Sequence, residues 1–395
     1  MVTQLLRLAL VSGFCCLFSG TTAASEQRFA VPADFRFSAR LRYEHVSDDL
    51  LKDASALSLR STLSARTTPW NGFTGFAELQ NNAVLSQEDF SDGVVNRNTA
   101  VIADPDATEL NQLWLQYTGV PATRFRLGRQ QLVLDNQRFV GNVDFRQNEQ
   151  TFDAFSVQHK PVSDLTLAWH YLTRVHTVLG EQAPAGDREH HSRLYNLHWN
   201  NRATGSVTLY HYDINDQQAT ERLKTIGMRW QKRIRVDTAA INWALEYAHQ
   251  RNVNGTGEPA AAYQLAEVGL TWQGLGGALR YEMLGEDNGF GFSTPLATLH
   301  GFQGFADRFL STPGNGLRDM SGKLTFSTGK VQLGLIHHRF RPAAGSGSHG
   351  NETDFLLTCS LSDSFDLMVK FADFRGNDFG RQDVRKFWVQ LSWTP

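Results

Sequence analysis

The chain has 395 residues, enough for two or three ordinary domains or one large one, and its 38 Lys and Arg nearly balance its 40 Asp and Glu. That balance offers no global attraction for nucleic acid. Beyond the N-terminal segment no apolar run approaches the roughly 18 residues of a membrane helix, which excludes a helical membrane protein.

The first residues read as a secretory leader. Arg7 supplies a positive start, Leu8–Phe18 an apolar run, and Thr22-Ala23-Ala24 the small residues of a cleavage site. Residues 1–24 are therefore expected to be a signal peptide rather than an anchor helix. Its removal takes Cys15 and Cys16 and leaves Cys359, so no intrachain disulfide is expected. An exported chain without a disulfide or a membrane helix fits a bacterial envelope.

From Asp34 the dominant period is two. Phe35, Phe37, Ala39, Leu41 and Tyr43 alternate with Arg36, Ser38, Arg40, Arg42 and Glu44, so a strand here has one apolar and one arginine-bearing face. Further strands are expected near 54–68, 72–86, 109–119, 123–131, 152–160, 164–177, 191–200, 204–213, 221–233, 236–250, 261–273, 277–286, 317–328, 330–341, 352–361, 364–375 and 382–393. Tight connections such as Pro69-Trp70-Asn71-Gly72 and Gly274-Leu275-Gly276 alternate with longer polar ones, the longest at 287–316.

Successive connections of a meander lie at opposite ends. Strict short–long alternation therefore puts all tight turns at one end, the asymmetry of outer-membrane barrels. The expected fold is all-β: a single antiparallel up-and-down transmembrane β-barrel of 18 strands, with short periplasmic turns and long extracellular loops. Residues 25–34 are assigned to a short periplasmic N-terminal segment and 35–395 to the barrel. In the last strand Phe387, Val389, Leu391 and Trp393 alternate with Lys386, Trp388, Gln390 and Ser392, the pattern of a barrel-assembly signal, although Thr394-Pro395 runs past it.

With the apolar face toward lipid, the polar face lines the lumen. Strand positions Arg36, Arg40, Arg42, Arg60, Arg66, Arg124, Arg126, Arg174 and Arg229, with Arg280 and Lys323, then point inward against fewer acids, Glu44, Glu78, Glu246, Glu267 and Glu282. The excess acid falls in loops. A basic lumen favours anions, and the guanidinium fork suits carboxylates. The alternative is that these arginines pair with lumen acids as structural ladders.

Two polar stretches stand apart. Gly128-Arg129-Gln130 runs to Arg138-Phe139-Val140-Gly141 and on through Asp144-Phe145-Arg146-Gln147-Asn148 to Thr151-Phe152-Asp153-Ala154. The second is Gly301-Phe302-Gln303-Gly304-Phe305-Ala306-Asp307-Arg308-Phe309-Leu310, followed by Thr312-Pro313-Gly314-Asn315-Gly316-Leu317-Arg318-Asp319. Both resemble the alginate-export family of outer-membrane porins, and the resemblance extends in strand rhythm over the mature chain. It implies a monomeric 18-stranded barrel in outer-membrane lipid. It also implies a passive channel with an arginine-rich lumen for anionic polysaccharide, working with periplasmic secretion partners and no cofactor. An uptake porin for small anionic solutes is the alternative.

The first stretch is expected to be the third long external loop. Arg129 and Gln131 would sit at its mouth, with Arg138 and Arg146 free to fold toward the pore as a constriction or anion contact. An outer-membrane barrel enzyme is disfavoured, because His190-His191-Ser192 and His337-His338 lack a surrounding nucleophile motif. The same histidines lack metal-ligand spacing. A first strand at Phe35 leaves no room for the plug of an active receptor. Gly255-Thr256-Gly257 and Gly345-Ser346-Gly347 lack the strand-to-helix context of a nucleotide site.

Overall fold

The computed structural model describes residues 33–86 and 89–395. The leader and most of the N-terminal segment assigned above lie outside the described residues. The barrel strands, in chain order, are β1 (Ala33–Asp48), β2 (Ala54–Thr67), β3 (Phe73–Val84), β4 (Ala107–Tyr117), β5 (Thr123–Gln130), β6 (Thr151–Val162), β7 (Leu165–His176), β8 (Asp187–Asn201) and β9 (Gly205–Asn215). They continue with β10 (Arg222–Val236), β11 (Ala239–Asn252), β12 (Ala260–Trp272) and β13 (Leu275–Leu284), then, after a small ribbon of β14 (Glu286–Asp287) and β15 (Phe290–Gly291), with β16 (Leu317–Thr328), β17 (Val331–Arg341), β18 (Gly350–Ser360), β19 (Phe365–Gly376) and β20 (Val384–Trp393).

Each barrel strand pairs antiparallel with the next, and β1 pairs with β20 from Ala39 opposite Trp393 to Asp48 opposite Val384. This closes an 18-stranded sheet. Closure gives every strand a partner on both sides and leaves no open edge in lipid, where an unpaired backbone group costs several kcal/mol. The register settles which residues share a face. Arg40 stands opposite Arg60 and Ser392, and Leu41 opposite Leu59 and Leu391.

The outward face is apolar, with Leu115, Leu127, Ile226, Leu279 and Leu324 all more than half exposed. Phe35, Trp70, Trp199 and Trp272 stand on it near the short-turn end, where aromatic residues mark a membrane interface. The inward face carries the polar set. The buried core is not a sandwich interior but the zone where long loops meet this inward face, with Phe139, Val140, Phe292 and Leu296 among its residues.

Strand limits shift by up to three residues from the sequence expectation at most ends, and the largest shift is at β8, which begins at Asp187 instead of near 191. That difference has a local cause. A bulge between Leu172 and Arg174 lets Asp187–Glu189 continue the ladder against Arg174–His176.

Candidate functional site

The third long loop (131–150) and the seventh (285–316) leave the rim and fold into the barrel. Loop 3 starts beside Gly128, whose φ of +119° brings its Cα face so close to the Leu113 carbonyl oxygen that a Cβ would lie 2.2 Å from it. The loop then crosses the lumen. Arg138 is 1% exposed and donates from Nε to Glu282 Oε1 of β13 at 2.6 Å and from Nη1 to Thr294 Oγ1 at 3.1 Å. Beside it Phe139 packs on Tyr210 and Tyr263 of the wall, ring centroids 5.2 Å apart in each case, and on Phe292 of loop 7 at 5.8 Å.

The loop then turns back to β1 and β2. Arg40 donates to Gln147 Oε1 at 2.9 Å and to the Asp144 carbonyl at 2.8 Å. Arg42 donates to the Phe145 carbonyl and to Gln390, and its Nη1 lies 3.4 Å from Asp104 Oδ2 in the connection between β3 and β4. Arg60 pairs with Asp144 at 2.9 Å and also with Glu149. Burial raises the Asp144 carboxyl, but Arg40 and Arg60 outweigh it and hold the group below the usual carboxylate range.

Loop 7 is joined to loop 3 backbone to backbone. Gly141 N donates to Leu296 O at 2.9 Å, and Thr298 N to Gln137 O at 3.1 Å. Arg146 of loop 3 lies 2.8 Å from Asp307 of loop 7 and 3.3 Å from Glu44 of β1. Phe145 stacks on His300 at 3.6 Å. Loop 7 is seated on the wall by Glu352, which accepts from Ala306 N at 2.7 Å, and by Asp354, which accepts from Phe305 N at 3.2 Å. Together the two loops form a cross-linked unit inside the barrel.

Glycine is required in that seat. Gly304 has φ +78°, and a Cβ on it would sit 2.3 Å from the Glu352 carboxyl carbon. Gly304→Ala is expected to lift loop 7 while the ladder keeps the barrel closed. Limited proteolysis should then cut within 299–312, and single-channel conductance should rise; a variant as protected as wild type contradicts this seat.

The loop 7 histidine makes the seat sensitive to acid. His300 Nδ1 donates to Asp307 Oδ1 at 2.8 Å, while its Nε2 accepts from the Lys370 ammonium. Burial, helped by Lys370 and opposed by Asp307, pushes the imidazole down to about 3. A released loop would titrate near the ordinary value of about 6.5. Between those two values the released form binds more protons, so the seat loses stability as pH falls below about 6.5. Asp307, held well below its ordinary range against the cost of burial by His300 and Lys386, loses its contribution in the same direction, below about 3.8. Stepwise acidification of one channel from pH 7.5 to 4 is expected to increase open events; conductance unchanged down to pH 4 contradicts it.

The arginines expected in the lumen thus divide. Arg40, Arg42, Arg60, Arg138 and Arg146 tie loops to the wall. Arg229 is also inward but pairs with Glu246 at 2.7 Å, and Glu246 in turn accepts from Tyr210. Arg36 lies at the short-turn end on the inward register, tied to Asp34 at 3.1 Å.

Arg66, Arg124 and Arg126 form a different group. Each occupies an inward register position on the short-turn half, below the loops, and none makes an ion pair among the described residues. Arg124 donates to Gln158 Oε1 at 2.6 Å, Arg126 to Gln116 Oε1 at 2.8 Å, and the Arg126 guanidinium lies 4.0 Å from the Trp114 ring centroid. Arg124 and Arg66 both act electrostatically on Arg126, which places three cations in one neighbourhood.

Two expected lumen residues face the other way. Arg129 stands opposite Leu113, an outward residue, and pairs with Asp153 at 3.1 Å and with Glu181 on the outside of the rim. Arg174 follows the β7 bulge. The extra residue, Thr173, shifts the alternation, so Arg174 stands opposite outward Asp153 and pairs with Asp187 at 2.7 Å.

Sequence reasoning also missed inward acids. Asp319, Glu352 and Asp354 are fully buried, and they alternate with the outward Met320 and Phe355. That alternation was a usable signal. Nothing local marked Asp104, Asp144, Glu149 or Asp307 as partners of distant arginines.

A family profile described as alginate export matches residues 31–283. The chain belongs to the alginate-export family. Its fold is also shared with solved structures of low sequence identity. Against OccAB4 of Acinetobacter baumannii the TM-score is 0.71 at 14% identity, over 92% of this chain and 98% of that one. Against OpdK of Pseudomonas aeruginosa the figures are 0.71 and 13%, again over 92% and 98%. OccK2 (OpdF) of Pseudomonas aeruginosa, solved in complex with glucuronate, gives 0.68 and 12% over 91% and 98%. No curated protein sequence matches the chain. This member of the alginate-export family is an integral β-barrel of the bacterial outer membrane with the fold of a channel.

Proposed function

We propose that this alginate-export-family barrel is a passive, anion-preferring channel for uronate-type carboxylates, acting as a monomer. The observation that carries the reading is the unpaired, inward set of Arg66, Arg124 and Arg126 beneath a constriction whose own arginines are already neutralised by loop acids. Three guanidinium groups without carboxylate partners raise the local concentration of anions and offer bidentate contacts to a carboxylate. The loops above limit size. Loop 3 and loop 7 bury Val140 and Leu296 against each other, which favours a single sugar acid over a threaded polymer while they are seated.

The glucuronate complex of OccK2, a protein of the same fold, supports a uronate as the solute class. Family membership supports a second reading, export of polyuronate through a channel whose loops are displaced. Liposome swelling separates the readings from a non-selective pore. Reconstituted protein should admit glucuronate faster than glucose, a neutral sugar of similar size. Equal rates would remove the anion preference. Slow entry of both, with glucuronate entry restored after removing residues 135–148, would favour the displaced-loop reading.

A further inference from the structure

The outward face of β8 to β11 carries a row of charge where a membrane barrel usually carries apolar residues. The register sets Arg193 opposite Asp213, Asp213 opposite Lys224, and Lys224 opposite Arg251, so one residue of each strand stands at the same level. Arg193, Lys224 and Arg251 are exposed. Asp213 is already held by a fork from Arg222, at 2.9 Å to Oδ1 and 2.7 Å to Oδ2. Arg251 has a loose partner in Glu258 at 3.9 Å, whereas Arg193 and Lys224 make no ion pair among the described residues. The row is therefore a cationic shelf.

Its height is set by Lys232, also outward on β10, whose Nζ reaches the Ala203 carbonyl in a short turn. Lys224 lies eight residues farther along the strand. That is roughly 26 Å of strand, shortened by tilt to roughly 20 Å against an apolar band of about 25 Å. The shelf thus stands at the border of the leaflet on the long-loop side.

Directly below the shelf, one outward position along β8, β9 and β10, are Tyr195, His211 and Ile226. They begin a groove of about 500 Å³ on the same outer face, continued by Leu209, Leu167 and Trp169. Inward-facing Ala168 and Gly227 leave backbone as part of its floor. An apolar groove open to the membrane and capped by unpaired cations matches one chemistry: acyl chains joined to a phosphorylated headgroup.

We infer that this face binds a phosphorylated, multiply acylated glycolipid of the outer leaflet, its phosphate on Arg193 and Lys224 and an acyl chain in the groove. Shelf and groove are different surfaces from the channel, so the inference stands apart from the solute reading. The shelf supplies charge complementarity, since basic residues at a membrane surface attract anionic headgroups.

The test uses the folded full-length barrel in detergent, freed of lipid and incubated with bis-phosphorylated lipid A, with bound lipid counted by native mass spectrometry. Heat-modifiable gel mobility establishes that each variant is folded. Wild type is expected to retain lipid, and Arg193→Glu/Lys224→Glu to retain roughly tenfold less or lower still. Leu209→Trp, which fills the groove and leaves the shelf, is expected to lower retention independently. Arg339→Glu/Arg385→Glu, an outward pair on another wall, should retain as wild type. Equal retention by wild type and the Arg193/Lys224 variant overturns the inference. So does equal binding of lipid A and its dephosphorylated form, or an equal loss in the control pair.

Discussion

Replacing Arg66, Arg124 and Arg126 together with Glu is expected to turn the proposed anion preference into a cation preference. The three side chains face the lumen without carboxylate partners among the described residues, so reversing them removes three positive charges and adds three negative ones on the proposed ion path. No loop tie is cut, because Arg124 and Arg126 bond wall glutamines, and among the described residues Arg66 bonds no loop. The barrel should therefore fold and run as heat-modifiable protein, with conductance of the same order. In planar bilayers under a salt gradient the reversal potential should change sign. The effect should shrink as ionic strength rises past about 0.15 M, where the screening length falls to about 8 Å. An unchanged reversal potential at low salt would remove these residues from selection.

Arg146→Ala is expected to act on gating instead. Arg146, within loop 3, bridges two carboxylates, Asp307 of loop 7 and Glu44 of the barrel wall. Asp307 keeps His300 and Lys386, but Glu44 would be left as a buried carboxylate without its partner. Removing one member of a buried pair typically costs about 3–5 kcal/mol. Here the cost falls on loop seating, because the strand ladder closes without these loops. Conductance should rise severalfold, with noisy sublevels, and loops 3 and 7 should become accessible to protease. A quiet channel of wild-type conductance would show that the loop–loop contact does not set the constriction.

How far the sequence was readable follows from the range of the forces involved. Strand number, inward and outward faces and the closing strand rest on period two, which each strand carries in its own residues. Arg36, Arg40, Arg42, Arg60, Arg66, Arg124 and Arg126 accordingly occupy inward register positions. Arg174 does not, because a single extra residue at Thr173 resets the alternation and no composition change announces it. Arg129 was placed by its loop motif, although its odd position beside outward Leu127 already pointed away from the lumen.

The division of the arginines was not legible at all. It depends on which wall cation meets which loop acid, as Arg60 meets Asp144 and Glu149 and Arg138 meets Glu282 across 144 residues. Such contacts are chosen by three-dimensional closure and leave no local pattern. Four loop acids, Asp104, Asp144, Glu149 and Asp307, reach inward and pair with Arg42, Arg60 and Arg146.

In the proposed channel this division sets the function, with tied arginines holding the loops and free arginines selecting the ion. It is tested most directly by measuring reversal potential and single-channel conductance on the same bilayers for two neutralised pairs, Arg40→Gln/Arg60→Gln and Arg124→Gln/Arg126→Gln. The first pair is expected to raise conductance and leave anion preference nearly intact, and the second to weaken anion preference and leave conductance nearly intact. Loss of anion preference in the first pair with none in the second would contradict it.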